Sequence, residues 1–145
     1  MEAQVILCDW AEVVNNKLYI MGAGWDRAPA GTPFPLAVAL LIMVPWTETN
    51  KKHVAQISMV TTDGSPALPA LPPGAPEAMR AQLQPVQGSF QFEVGRPPGA
   101  TEGTAIIVPL SLRIPAIVLD AKRYVFQLTI DNVPIESAPF EAVGG

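Results

Sequence analysis

This sequence is short of the residues that do most protein chemistry. It has one cysteine, Cys8, and one histidine, His53. A lone cysteine forms no intrachain disulfide, and one Cys with one His cannot build a structural zinc site within a single chain. The aspartates Asp9, Asp26, Asp63, Asp120 and Asp131 are scattered singly, without the clustering that calcium loops use, and turn or strand-end duty accounts for each. No Gly-x-Ser-x-Gly elbow and no Gly-x-x-x-x-Gly-Lys phosphate loop occurs. Met21-Gly22-Ala23-Gly24-Trp25 lacks the third glycine and the following helix of a nucleotide loop, so positive φ or a bulge is the expected use of those glycines. Nothing nominates a nucleophile, a base or a cofactor. The expectation is no catalytic residue, no metal and no cofactor.

Charge is scarce as well. Charged residues are 15% of the chain, hydrophobic residues 49%, and the net charge is −4. That balance excludes a disordered chain. Lys51-Lys52 and Lys122-Arg123 are isolated pairs rather than the basic stripe that a phosphate backbone requires, which argues against nucleic acid as a partner. The start of the chain carries Glu2, Asp9 and Glu12 and no basic region, unlike a signal peptide. The longest apolar run, 34–46, is too short to span a bilayer and contains Pro35 and Pro45. A cytoplasmic protein without membrane insertion is therefore expected. So few charges leave apolar surface to be covered, and the expected partner is another copy of the chain or a second protein.

What the sequence does have is punctuation. Its 16 prolines and 11 glycines separate short apolar runs, the rhythm of a sandwich or barrel. Eight strands are predicted, at 3–9, 17–22, 34–44, 53–62, 87–94, 104–117, 123–131 and 133–143. Asn15-Asn16 and Asp131-Asn132 suit tight turns, because both residue types tolerate the left-handed region. The third run is apolar on both faces: Leu36, Val38, Leu40, Ile42 and Val44 on one, Ala37, Ala39, Leu41 and Met43 on the other. Such a strand is buried twice, once in the core and once under a loop or a second subunit. Pro109 and Pro115 mark their run as an edge strand or a bulge. Only 76–83 reads as a short helix, and no βαβ unit is present. The expected fold is all-β: one domain over residues 1–145, an antiparallel sandwich of about eight strands, immunoglobulin-like or jelly-roll-like, with a closed barrel as the alternative. Residues 65–85, rich in Pro and Ala, form a crossover loop within it, or a docking arm with polyproline character.

Three loops are richer than turns require. Trp25-Asp26-Arg27, the stretch from Trp46 through Glu48 to Asn50, and Arg96 within Gly95-Arg96-Pro97-Pro98-Gly99 bring together tryptophan and arginine, the residues that anchor interfaces. Gathered at one end of the sandwich, Trp25, Asp26, Arg27, Trp46, Glu48, Asn50 and Arg96 would form a binding surface. Dispersed, the tryptophans cap the core and the charges pair locally. His53, at a strand start after two lysines, reads as a solvated or packing residue, and Cys8 as a small buried hydrophobe. The terminal Gly144-Gly145 has the form that ubiquitin-like modifiers use for conjugation, but the helix of those domains is missing, and a plain end is expected.

Leu7-Cys8-Asp9 with Ala11-Glu12-Val13-Val14, Lys17-Leu18-Tyr19 and Gly22-Ala23-Gly24-Trp25 resembles the opening of an uncharacterised bacterial family of small cytosolic β-sandwich proteins, a domain of unknown function. The stretch 44–50 with His53, residues 92–99, Val108-Pro109-Leu110 and Arg123-Tyr124 resemble its later blocks. The resemblance covers nearly the whole chain apart from the Pro-rich segment. It implies a small bacterial cytosolic domain and assigns no activity, cofactor or site residue. The resulting expectation is a non-catalytic binding or assembly module that forms a homo-oligomer; the alternative is a small-ligand binder or enzyme with its site in the Trp/Arg loops.

Overall fold

The computed structural model describes residues 1–144; the Gly144-Gly145 end falls partly outside the described residues at Gly145. Ten strands follow one another: β1 (Glu2–Cys8), β2 (Trp10–Val14), β3 (Lys17–Met21), β4 (Arg27–Pro29), β5 (Phe34–Val44), β6 (His53–Thr61), β7 (Gln87–Phe92), β8 (Ile106–Ile117), β9 (Arg123–Ile130) and β10 (Val133–Val143). They form a three-stranded sheet β1-β5-β8, a five-stranded sheet β4-β10-β9-β6-β7 and a separate hairpin β2-β3. All pairs are antiparallel except β4 with β10, which is parallel. The fold is all-β and sandwich-like, as expected. All eight predicted strands are present; β2 and β4 are additional.

The core lies between the two larger sheets. Leu36, Val38, Leu40, Ile42 and Val44 of β5 face Ile57 and Met59 of β6 and Phe126 and Leu128 of β9, all fully buried or nearly so. On β9 the alternation read from sequence holds: Tyr124, Phe126, Leu128 and Ile130 are buried. Each such side chain contributes roughly 1.5–3 kcal/mol of burial.

The second apolar face of β5 is covered from within the chain. The β2-β3 hairpin lies across it and buries Ala37 and Ala39 against Ala11, with Leu18 and Ile20 alongside. Small side chains on β5 let a third layer approach closely. Leu41 and Met43, farther along the same face, are only half-buried. The hairpin turns through Asn15 and Asn16 at φ 50° and 60°. That is the mirror-image two-residue turn whose twist matches the flanking strands. It joins β2 to β3 rather than the opening strand to the second predicted one, because β1 pairs with β5 instead.

Pro109 and Pro115 sit on β8, an edge of the three-stranded sheet, and the register of β5 with β8 shifts between Phe34 and Leu36, opposite the Pro115 stretch. The crossover 65–85 runs past the end of β6. The Ala67 N–H donates to the Met59 carbonyl at 2.9 Å and Ala70 to Val118 at 2.7 Å. The predicted helix is a 3-10 segment, Glu77–Gln82, with no buried residue. A six-residue stretch without an apolar face to bury does not sustain an α-helix.

Candidate functional site

The three Trp/Arg loops occupy two opposite ends of the sandwich. The Trp25-Asp26-Arg27 stretch leads into β4, beside the start of β9, where Glu141 of β10 is in register with both Arg27 and Arg123. Trp46, Glu48, Asn50 and Arg96 lie beyond the end of β5, near the other end of β9. Strand β9 rises about 3.3 Å per residue, so roughly 25 Å separates the two groups. The structure brings together four of the seven candidates and leaves three apart.

Trp25 is a core cap. Its ring makes edge-to-face contacts with Phe34 at 6.3 Å and Phe140 at 5.9 Å between centroids. Its Nε1 is buried without a hydrogen-bond partner among the described residues. The Asp26 carbonyl accepts the Glu141 N–H at 2.9 Å, which helps hold β4 against β10. Asp26 and Arg27 are exposed on an open cleft of about 420 Å³ shared with Arg123, Tyr124 and Glu141.

At the other end Arg96 organises the loop. Its guanidinium lies 4.2 Å from the Trp46 ring centroid, Nε donates to Thr49 Oγ1 at 2.8 Å and Nη2 to the Trp46 carbonyl at 3.0 Å. Thr49 is buried and its hydroxyl also donates to the Trp46 carbonyl at 2.7 Å. Asn50 takes φ 60° and its N–H donates to the Val94 carbonyl at 2.7 Å. The Glu48 carboxylate pairs loosely with Lys51 at 3.7 Å.

His53 and Asp131 complete this end, and neither stood out in the sequence. His53 is 3% exposed. Its Nδ1 lies 2.6 Å from Asp131 Oδ2 and its Nε2 lies 2.8 Å from the Glu48 carbonyl oxygen. The other Asp131 oxygen accepts the Val54 N–H at 3.0 Å. The ring also packs on Phe92, 5.3 Å between centroids. The available signal was the inward period of β6: His53, Ala55, Ile57 and Met59 all point to the core, so the histidine is an inward position rather than a solvated one.

Both ring nitrogens face oxygens that only accept, a carboxylate and a carbonyl. Burial pulls the His53 pKa down, but the Glu48 carbonyl and then the Asp131 carboxylate outweigh it, and the net shift is upward from 6.5. Asp131 moves the other way, below its ordinary value, because His53 and the Val54 N–H bond its charged form. A ring bonded on both sides has no free lone pair with which to take a proton from a substrate. Cys8 is equally withdrawn: burial, reinforced by Asp9, pushes its thiol up to about 11, and Sγ donates to the Ala37 carbonyl at 3.6 Å. Among the described residues no group of three or more His, Cys, Asp or Glu side chains is placed to hold a metal ion. No helix among them is long and apolar enough to cross a membrane.

Residues 4–143 match a family of unknown function, DUF6941. The chain belongs to that family. The match runs from β1 to β10 and through the Pro-rich crossover, so this DUF6941 domain includes both ends of the sandwich and the hairpin layer. No curated protein matches the sequence.

The outer face of the β2-β3 hairpin is a further surface that the sequence reading missed. Trp10 pairs with Met21, Glu12 with Tyr19 and Val14 with Lys17, all on the side away from β5. Trp10 is 43% exposed, Tyr19 51% and Met21 68%. The Arg113 guanidinium from β8 lies 4.2 Å over the Trp10 ring and Nη1 is 3.8 Å from Glu12. Reading Trp10–Val14 as a strand in its own right, folded back at Asn15-Asn16, is the step that would have found it.

Proposed function

We propose that this DUF6941 protein is a non-catalytic binding or assembly module of the bacterial cytoplasm, and that it associates with its own copies through the outer face of the β2-β3 hairpin. The observation that carries this reading is the exposed row Trp10, Tyr19 and Met21, with Val14 beside it, on a layer that already covers β5. Aromatic residues and Met are the ones enriched at interface centres. Charges of both signs, Glu12 with Lys17 and Arg113, border the row, so a two-fold contact can set each against its opposite. The low charged share of 15% favours the same reading.

Native mass spectrometry of the wild type and of Trp10→Ser/Tyr19→Ser tests it. An oligomer that falls to folded monomers in the double variant supports the proposal. A wild type that is monomeric at tens of micromolar overturns it. A second reading, a small-ligand binder or enzyme in the Trp/Arg loops, is favoured by the open cleft beside Arg27 and Arg123. A monomer carrying extra mass that is lost in Arg27→Ala/Arg123→Ala would select that reading.

A further inference from the structure

We propose that His53 is a proton-operated latch: as an imidazolium donating from both nitrogens it ties the Trp46–Glu48 turn to the β9-β10 turn, and loss of one proton frees the Glu48 carbonyl and loosens the turn that carries Trp46.

The geometry sets the requirement. A neutral imidazole has one N–H, whereas His53 has an acceptor at 2.6 Å and another at 2.8 Å. Neither acceptor can donate in return, so one bond must break when the ring loses a proton, leaving a lone pair against an oxygen lone pair. The bond to Asp131 is charge-assisted and the stronger of the two. The proton therefore leaves Nε2 for solvent, and the Glu48 carbonyl loses its partner. Glu48 ends the one-turn helix Trp46–Glu48. Thr49 binds that turn internally, while Arg96 and the Asn50 N–H tie it to the segment after β7, so loss of the Glu48 bond lets the turn shift about that anchor and carries the Trp46 ring with it.

The charged groups around the ring come from every neighbouring element. Asp131 lies at the β9-β10 turn, Glu48 with Lys51 on the loop, Lys52 just before β6, and Glu93 and Arg96 just after Phe92 of β7. Among the described residues Asp131 alone forms a close ion pair with the ring. Its side chain is 48% exposed, so the latch is sensed from solvent through the carboxylate although the ring itself is buried.

His53 is the chain's sole histidine, which makes the test unambiguous. Nitrogen-15 NMR of the full chain at about pH 5.5 should show both ring nitrogens protonated, with a single titration whose midpoint lies above 6.5. The Trp46 indole and Arg96 Nε resonances should shift with the same midpoint. Asp131→Asn, which keeps the turn's tolerance of positive φ, should lower that midpoint. A single neutral tautomer at about pH 5.5 would overturn the latch. So would a flat Trp46 resonance across the His53 titration. Both of those readouts use the wild type, so the outcome stands even if Asp131→Asn fails to fold.

Discussion

His53 and Asp131 lie 78 residues apart in the chain and 2.6 Å apart in space. Their contact joins the start of β6 to the turn after β9, and the same aspartate closes its own hairpin. Asp131 takes φ 52° and Asn132 φ 66°, and the Asp131 N–H donates to the Val54 carbonyl at 2.9 Å.

The pair adds a pH-dependent contribution to stability. The folded-state pKa of His53 is raised from 6.5, so its contribution is complete below 6.5 and is lost as pH rises through the folded value. The folded-state pKa of Asp131 is lowered from 3.8, so its contribution is present above 3.8 and is lost as pH falls through the folded value. Both act together between 3.8 and 6.5. Urea midpoints measured from pH 4 to 9 should decline on the alkaline side in the wild type and less so in His53→Gln. Equal alkaline slopes would contradict the pairing.

Arg96 works by its fork and its flat face together. Arg96→Ala should destabilise the protein by about 1.5–4 kcal/mol, the sum of an exposed cation–π contact and two net hydrogen bonds. Arg96→Lys should recover less than half of that, because an ammonium cannot reach Thr49 and the Trp46 carbonyl while stacking. Denaturant unfolding followed by circular dichroism gives both numbers.

Trp25 should behave as packing rather than as a docking group. Trp25→Ala should cost about 2–4 kcal/mol by opening a gap against Phe34 and Phe140. Trp25→Phe should cost clearly less, since it keeps an aromatic ring and removes the unpaired indole N–H. A thermal melt of the two variants separates them.

Cys8 should resist alkylation. With its thiol pushed up to about 11 by burial, iodoacetamide at pH 8 should leave the native protein unlabelled, whereas the urea-unfolded chain should react fully. Mass spectrometry of the intact chain reads the difference.

Gly22 stands where a side chain would be strained twice over. It takes φ +68°, and a Cβ there would strike the Asp9 side chain. Asp9 donates its N–H to the Met21 and Gly22 carbonyls at 3.1 and 3.2 Å, closing the corner where β1 hands over to the hairpin. Gly22→Ala should destabilise by about 2 kcal/mol or more. Hydrogen exchange should quicken first in β2 and β3.

The strands were legible because their periods are local. Tyr124, Phe126, Leu128 and Ile130 announce an inward face within one short run, and Phe34–Val44 announces two. The hairpin layer was not, since Trp10–Val14 follows β1 with only Asp9 between, and the two read as one segment until β1 is known to pair with β5. The candidate site was half legible. Trp46, Glu48, Asn50 and Arg96 were chosen for their chemistry and do share one end. Trp25, Asp26 and Arg27 were chosen on the same grounds, but loop composition carries no information about which end of a sandwich a loop occupies. His53 with Asp131 was invisible for a related reason: its partner depends on which strand lies next to β6, and sheet order is a long-range property.

The prolines of β8 limit how this fold can meet other chains. β8 is a free edge, and an edge strand offers its outward N–H and C=O groups to any passing strand. Pro109 and Pro115 have no N–H to offer, and the register shift near Pro115 bends the strand there. In a protein with so few charged residues to discourage stacking, that is a safeguard against fibrils. Strand addition along β8 is disfavoured at those positions, whereas contact through a side-chain surface is left open.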